Sequence, residues 1–144
     1  MRETLRLLKQ YLEQGYCLHG SQRRSEMLEP RIAKCESGRV AGCQKAVYAS
    51  KDCVRVPCLM AMFAPIDPAN SRECSYTGAP DGKLIVTGTN VTFKPGYVHV
   101  LPAATFQELD DEFISYECIT PVAILLVTPE ILELLPDMEL HMPS

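Results

Sequence analysis

The chain opens on helical spacing and passes into alternation. Leu5, Leu8 and Leu12 recur every three or four residues, with Tyr11 beside them, and predict a helix from Arg2 to Gln14 that stops at Gly15. Tyr16 to His19 is β-prone and predicts a first strand, running into His19, Gly20 and Ser21. Ala46 to Ser50 predicts a second strand. Between them, Gln22 to Lys45 is polar and basic, with Pro30 near its middle, and reads as a loop.

Val54 to Ala64 is an almost unbroken apolar run with Pro57 near its first turn, which predicts a short buried helix ending before Pro65. Residues 65 to 82 hold three prolines and two glycines and read as a long loop, with Arg72 to Tyr76 as a short edge strand. The rest is strand-rich. Lys83 to Thr87, Val91 to Phe93, Tyr97 to Leu101, Phe113 to Ile119 and Val122 to Val127 all read as β. Phe106 to Asp111 reads as a polar loop or a short helical turn. Thr128-Pro129-Glu130 is a helix start, and the expected helix runs from Pro129 to Leu135, leaving His141 in a frayed tail. A helix, two early strands and a β-rich second half predict an α+β fold with mainly antiparallel sheets and a few short helices, in one domain over residues 1–144.

Composition changes this picture in three ways. An apolar content of 47% with 22% charged residues is that of a globular chain able to bury a core. No segment has the length and apolarity of a membrane span, and Met1 to Leu5 lacks a signal-peptide core, so the expected compartment is the cytoplasm, or else the nucleus. The seven cysteines are scattered without Cys-x-x-Cys spacing, so the expectation is free, mostly buried thiols and no metal. Charge is lopsided. All fourteen Lys and Arg fall before Pro95, against nine acids there, while Pro95 to Ser144 carries nine acids and no base. The +5 first part favours a phosphate-bearing ligand, or else is simply solvated. A basic stripe with interleaved aromatics, the mark of a nucleic-acid binder, is missing, which leaves nucleic acid an open partner class. A Rossmann or P-loop glycine motif is missing too.

Three segments offer polar groups at strand positions: His19-Gly20-Ser21, Val47-Tyr48-Ala49-Ser50 and Asp110-Asp111-Glu112-Phe113. A glycine at a strand end allows close approach to its backbone, and His19 and Ser21 can hydrogen-bond whatever approaches. The bland readings are a polar turn, a core tyrosine with a satisfied hydroxyl and a solvated acid at a strand start. His99 alternates with Tyr97 and Leu101 and reads as structural. Cys17 shares the face of His19, so a Cys–His nucleophile is a further reading, though no third group orients it. Glu117 is at odd spacing from Glu112 and falls on the opposite face, which argues against a carboxylate pair.

Taken in order, the three segments resemble the motifs of the His-Tyr-Glu ADP-ribosyltransferases, the clade of the poly(ADP-ribose) polymerases and diphtheria toxin. The resemblance spans roughly Tyr16 to Val127. It implies the split antiparallel sheets of that fold and NAD as substrate. By the same resemblance His19 would bind the adenosine-side ribose, the Gly20 backbone would hold the nicotinamide carboxamide with Ser21 assisting, and Tyr48 would flank the nicotinamide. Glu112 would hydrogen-bond the nicotinamide ribose. The family's second stacking aromatic has one counterpart here, Phe63, since Met60 and Met62 cannot replace a ring. No long regulatory or acceptor-binding insertion is present, so the resemblance implies mono-transfer to an unknown macromolecular or small-molecule acceptor, or NAD hydrolysis. A binding module that has lost catalysis and an RNA 2′-phosphotransferase are the other expectations.

Overall fold

A computed structural model describes residues 1–32, 45–78 and 80–143. Much of the expected loop from Gln22 to Lys45 therefore lies outside the described residues, as do Cys35 and Cys43. The observed elements, in order, are α1 (Arg2–Glu13), β1 (Cys17–Ser21), β2 (Arg31–Ile32), β3 (Lys45–Ala49), α2 (Arg55–Met62), β4 (Phe63–Pro65), β5 (Glu73–Thr77), β6 (Leu84–Thr89), β7 (Val91–Phe93), β8 (Gly96–Leu101), β9 (Gln107–Leu109), β10 (Glu112–Ser115), β11 (Ala123–Val127), a 3-10 helix (Pro129–Glu133) and β12 (Met138–His141). The fold is α+β with mostly antiparallel sheets.

Two sheets matter for the site. The first has the order β1-β8-β11 and the second β2-β3-β10-β9, and every pairing in both is antiparallel. A third sheet, β12-β6-β5, and the pair β4-β7 lie beyond α2 in the chain. Helices α1 and α2 cover one face of the first sheet. Leu5 and Leu8 of α1 and Cys58, Ala61 and Met62 of α2 pack with Leu18, Val98, Val100 and Val127. This explains α1: its leucine stripe faces the sheet while its charged face meets water. A second cluster, around Leu59, Phe63, Leu84 and Val86, joins α2 to the third sheet. A third, around Cys17, Leu28, Val47 and Ile119, fills the other side of β1.

Several expectations are corrected here. The helix expected to Ala64 ends at Met62, because Phe63, Ala64 and Pro65 pair with Phe93, Thr92 and Val91. Phe106 to Asp111 contains a strand, β9, instead of the expected polar loop or short helical turn. β9 and β10 form a hairpin whose corner residues, Asp110 and Asp111, both take positive φ (48° and 66°). The strand expected to reach Ile119 stops at Ser115, and Ile119 makes a separate bridge to Leu28. The closing helix is a 3-10 turn that ends at Glu133. His141 is not in a frayed tail: it ends β12, which pairs parallel with β6.

Arg55, at the start of α2, is buried. Its guanidinium donates to four main-chain carbonyls: Pro136 and Asp137 at 3.4 and 3.0 Å, and Pro80 and Gly82 at 2.7 and 2.9 Å. A planar fork with five donors is suited to this task, and it ties the turn before β6 to the turn before β12.

Candidate functional site

The two site-bearing sheets meet at one bridge. Leu18 and Ser50 exchange both main-chain hydrogen bonds at 2.8 Å, and pairing between β1 and β3 goes no further. Antiparallel strands alternate which residues point their backbone groups to each side. Leu18 spends its groups on Ser50, so Gly20, two residues on, turns its N–H and C=O to the same edge, away from β8. Continued pairing would set Gly20 opposite Tyr48. Instead the Tyr48 carbonyl accepts from Nδ1 of His19 at 2.6 Å. His19 thus bridges the split, one bond beyond the point where the sheets part.

The tautomers follow from the partners. Tyr48 O can only accept, so His19 carries its proton on Nδ1, which leaves Nε2 as an acceptor with no protein hydrogen bond among the described residues. Burial lowers the His19 pKa, against the raising effect of the Tyr48 carbonyl, and Arg31 lowers it further. His99 stands opposite His19 on β8, fully buried. Its Nε2 accepts from the Ser25 N–H at 3.0 Å, so its proton sits on Nδ1, 3.3 Å from the His19 carbonyl. Burial pushes the His99 pKa down to about 4, with His19 and Arg24 adding to the shift. The two rings stand 5.9 Å apart, edge to face. His99 is structural, as its place in the alternation suggested: it pins the chain after β1 to the sheet.

Glu112 reaches the same neighbourhood through the second sheet. β10 pairs with β3 so that Phe113 faces Ala49 and Ile114 faces Tyr48. One step further, the register sets Glu112 opposite Ser50, the residue that bridges to Leu18. Leu18, Ser50 and Glu112 therefore form one row across the junction, with His19, Gly20 and Tyr48 directly beside it. Glu112 is half-buried and lines a cleft of about 560 Å³ with Ser50, Lys51, Tyr76, Glu108 and Phe113. Lys51 pairs with Glu108 and stands 5.4 Å from the Phe113 ring centre. Asp52 and Asp111 also line this cleft, so among the described residues its wall carries four acids and one lysine. His19, Gly20 and Tyr48 do not line it.

The remaining expected site residues have other places. Phe63 is 1% exposed, stacked on Phe93 at 5.5 Å in the core, and is not an aromatic for a bound ring. Ser21 accepts the Arg23 N–H at 3.1 Å, a local turn contact that leaves its O–H able to donate. Gly20 is also needed for packing: a Cβ there would overlap the Pro57 carbonyl and lie 2.6 Å from the Ala61 nitrogen, both in α2. Its open backbone edge and its missing side chain thus serve different neighbours. Cys17 is buried, 3.6 Å from the Leu101 carbonyl, and burial pushes its thiol up to about 12, which removes the Cys–His nucleophile.

Sequence reasoning missed Arg55, whose only signal is a charge at the head of an apolar helix, and Ser50, whose role appears only once β1 and β3 are placed together. Among the described residues no cluster of His, Cys, Asp and Glu is arranged to hold a metal ion, and no helix is long and apolar enough to cross a membrane. Comparison with protein-family models, with curated proteins and with solved structures finds no match.

Proposed function

We propose that the chain is an NAD-dependent ADP-ribosyltransferase-like domain that cleaves the nicotinamide–ribose bond and passes a single ADP-ribose to an acceptor or to water. The observation that carries this reading is the one-bridge junction of β1 and β3. It sets the open backbone edge of Gly20, the ring of His19 and the Tyr48 strand beside the row that ends in Glu112. Two antiparallel sheets that part at such a junction are also what supports the finer fold reading, the split sheets of the ADP-ribosyltransferases.

Each group has chemistry suited to its part. An exposed N–H and C=O on one glycine can pair with both ends of a carboxamide. The neutral His19, held through Nδ1, offers Nε2 to a ribose hydroxyl. Tyr48 flanks the nicotinamide. Cleavage of the glycosidic bond builds positive charge on the ribose, and a carboxylate such as Glu112 stabilises it as it develops. The diphosphate runs toward Arg23 and Arg24 after β1, whose positive charge suits it. Phe63, buried in the core, has no part in this scheme. The cytoplasm or nucleus, where NAD is plentiful, is the compartment the reading implies.

The test is nicotinamide release from NAD by the purified chain, beside Glu112→Gln. Release that depends on Glu112 supports the proposal. NAD binding without release favours a module that keeps the cleft without catalysis. Absence of NAD binding ends both readings; loss of the 2′-phosphate from 2′-phosphorylated RNA with its transfer to NAD, in place of nicotinamide release from NAD alone, would identify a phosphotransferase.

A further inference from the structure

β11 is the outer strand of the sheet β1-β8-β11. Its hydrogen bonds to β8 come from Ala123, Leu125 and Val127, because Val98 and Val100 turn their backbone groups away from β1. Ile124 and Leu126 therefore aim their N–H and C=O groups outward, and no partner for them is present among the described residues. The side chains of these two residues share one face of the strand, opposite the face that packs on α1 and α2. Leu126 is 48% exposed, and Val122, just before the strand, is 52% exposed.

Edge strands are normally guarded by charge. β2 carries Arg31, β9 carries Glu108, β5 carries Glu73 and β12 carries Glu139. β11 carries none, and the run from Cys118 to Pro129 holds no charged residue at all. Its one guard is a bulge at its start, where the Val122 N–H donates to the Val100 carbonyl at 2.8 Å beside the Ala123–Val100 pair.

We propose that β11 is a self-association edge, at which two copies of this chain pair antiparallel about a two-fold axis through Leu125. The strand is its own complement in that register. Ile124 of one copy meets Leu126 of the other, and the reverse, so the two outward-facing residues of each copy form two reciprocal pairs with four main-chain hydrogen bonds. Their side chains then lie apolar against apolar on one face. Self-pairing at this charge-free edge also avoids the like-charge repulsion that Arg31, Glu73, Glu108 or Glu139 would bring to self-pairing at the other edges. The result is one continuous six-stranded sheet, with the β1 edges and their His19–Tyr48 junctions at its two far ends, both accessible. This inference does not depend on the activity proposed above.

An interface of one strand per copy is at the small end of specific interfaces, so association in roughly the micromolar range is expected. The test is light scattering on the purified full chain across concentrations up to about 100 μM, well above that range. The expected mass is twice the 16.0 kDa of one chain. Leu126→Lys should halve the mass, and Leu126→Pro, which removes an outward N–H and no ladder bond, should do the same. Ile85→Lys, at an exposed position on β6, should leave the pair intact. Circular dichroism checks that each variant is folded. In the native chain, exchange at the Ile124 and Leu126 amides should be slow, and fast in either Leu126 variant. A native chain that stays monomeric overturns the proposal. So does a dimer that survives both Leu126 variants, or one in which those two amides exchange freely.

Discussion

His19 donates its Nδ1–H to the Tyr48 carbonyl across 2.6 Å, at the place where a Gly20 ladder bond would fall if β1 and β3 stayed paired. The ring does two things with one bond. It satisfies a carbonyl that the parting of the sheets leaves over, and it fixes which nitrogen faces outward. Removing the ring exposes the cost of that carbonyl. His19→Ala should lower stability by about 1–3 kcal/mol, the range for removing one partner from a buried hydrogen bond. Urea titration measures it. His19→Asn, whose amide can still donate, should recover part of the loss.

Gly20→Ala tests a packing contact. The added Cβ would meet the Pro57 carbonyl and the Ala61 nitrogen, both backbone atoms of a helix and unable to swing aside. Overpacking of this kind costs about 1–3 kcal/mol or more. The thermal midpoint should fall clearly. Gly15→Ala is the contrast: a Cβ there meets nothing within 4 Å, and its cost is the positive φ of 92°, about 1 kcal/mol.

Stability should also fall between about pH 6.5, the ordinary histidine value, and about pH 4, the value to which burial pushes His99. In that window the unfolded chain binds a proton that the folded chain refuses, so folding weakens as pH falls. The lowered pKa of His19 acts in the same direction. Protonating His99 at Nε2 also breaks the bond from Ser25. The loss should reach about 3 kcal/mol by pH 4, since one unit of pKa is worth about 1.4 kcal/mol. His99→Gln keeps a donor and an acceptor without the titration and should flatten this part of the stability–pH curve. Denaturant titrations at pH 7, 5.5 and 4 provide the measurement.

How much of this was legible beforehand depends on how local each cause is. The leucine stripe of α1 and the alternation of Tyr97 to Leu101 are local, and both elements stand near their expected bounds. Phe63 was misplaced because an apolar run does not say where a helix gives way to a strand: its pairing with Phe93, thirty residues on, decided that. The β9–β10 hairpin lacks the Asn-Gly signal and turns on two aspartates in a conformation that most residues avoid. β12 depends on a partner, β6, some fifty residues earlier. At the site, the three segments could be picked out by residue type. Ser50 as the bridge, and α2 as the reason Gly20 has no side chain, could not, because both are contacts between distant parts of the chain.

Arg55 offers a test of a group that no motif flagged. Arg55→Met preserves the length and apolar stem of the side chain and leaves four carbonyls without their donor. The expected cost is about 2–4 kcal/mol, because several acceptors lose a charged partner together. Arg55→Lys should rescue little, since a single ammonium cannot span two separate turns. Limited proteolysis should then show new cleavage at the turn carrying Pro80 and Gly82, which this side chain ties down.

Glu112 separates function from fold. It stands half-buried at a strand start, at the rim of an acidic cleft, and no core cluster depends on it. Glu112→Gln keeps the shape and removes the charge, so the fold should survive, which circular dichroism checks. Turnover is a different matter. A carboxylate that opposes charge only as the glycosidic bond breaks contributes to the transition state and little to the ground state, so kcat should fall by roughly 100- to 1,000-fold while the affinity for NAD changes by only a few-fold. Tyr48→Ala should show the reverse pattern, with NAD affinity weakened because a flanking surface for the nicotinamide is gone. Nicotinamide release and NAD titration on the same three proteins separate the two effects. Equal losses of affinity and turnover in Glu112→Gln would mean that the residue binds ligand without acting on the bond.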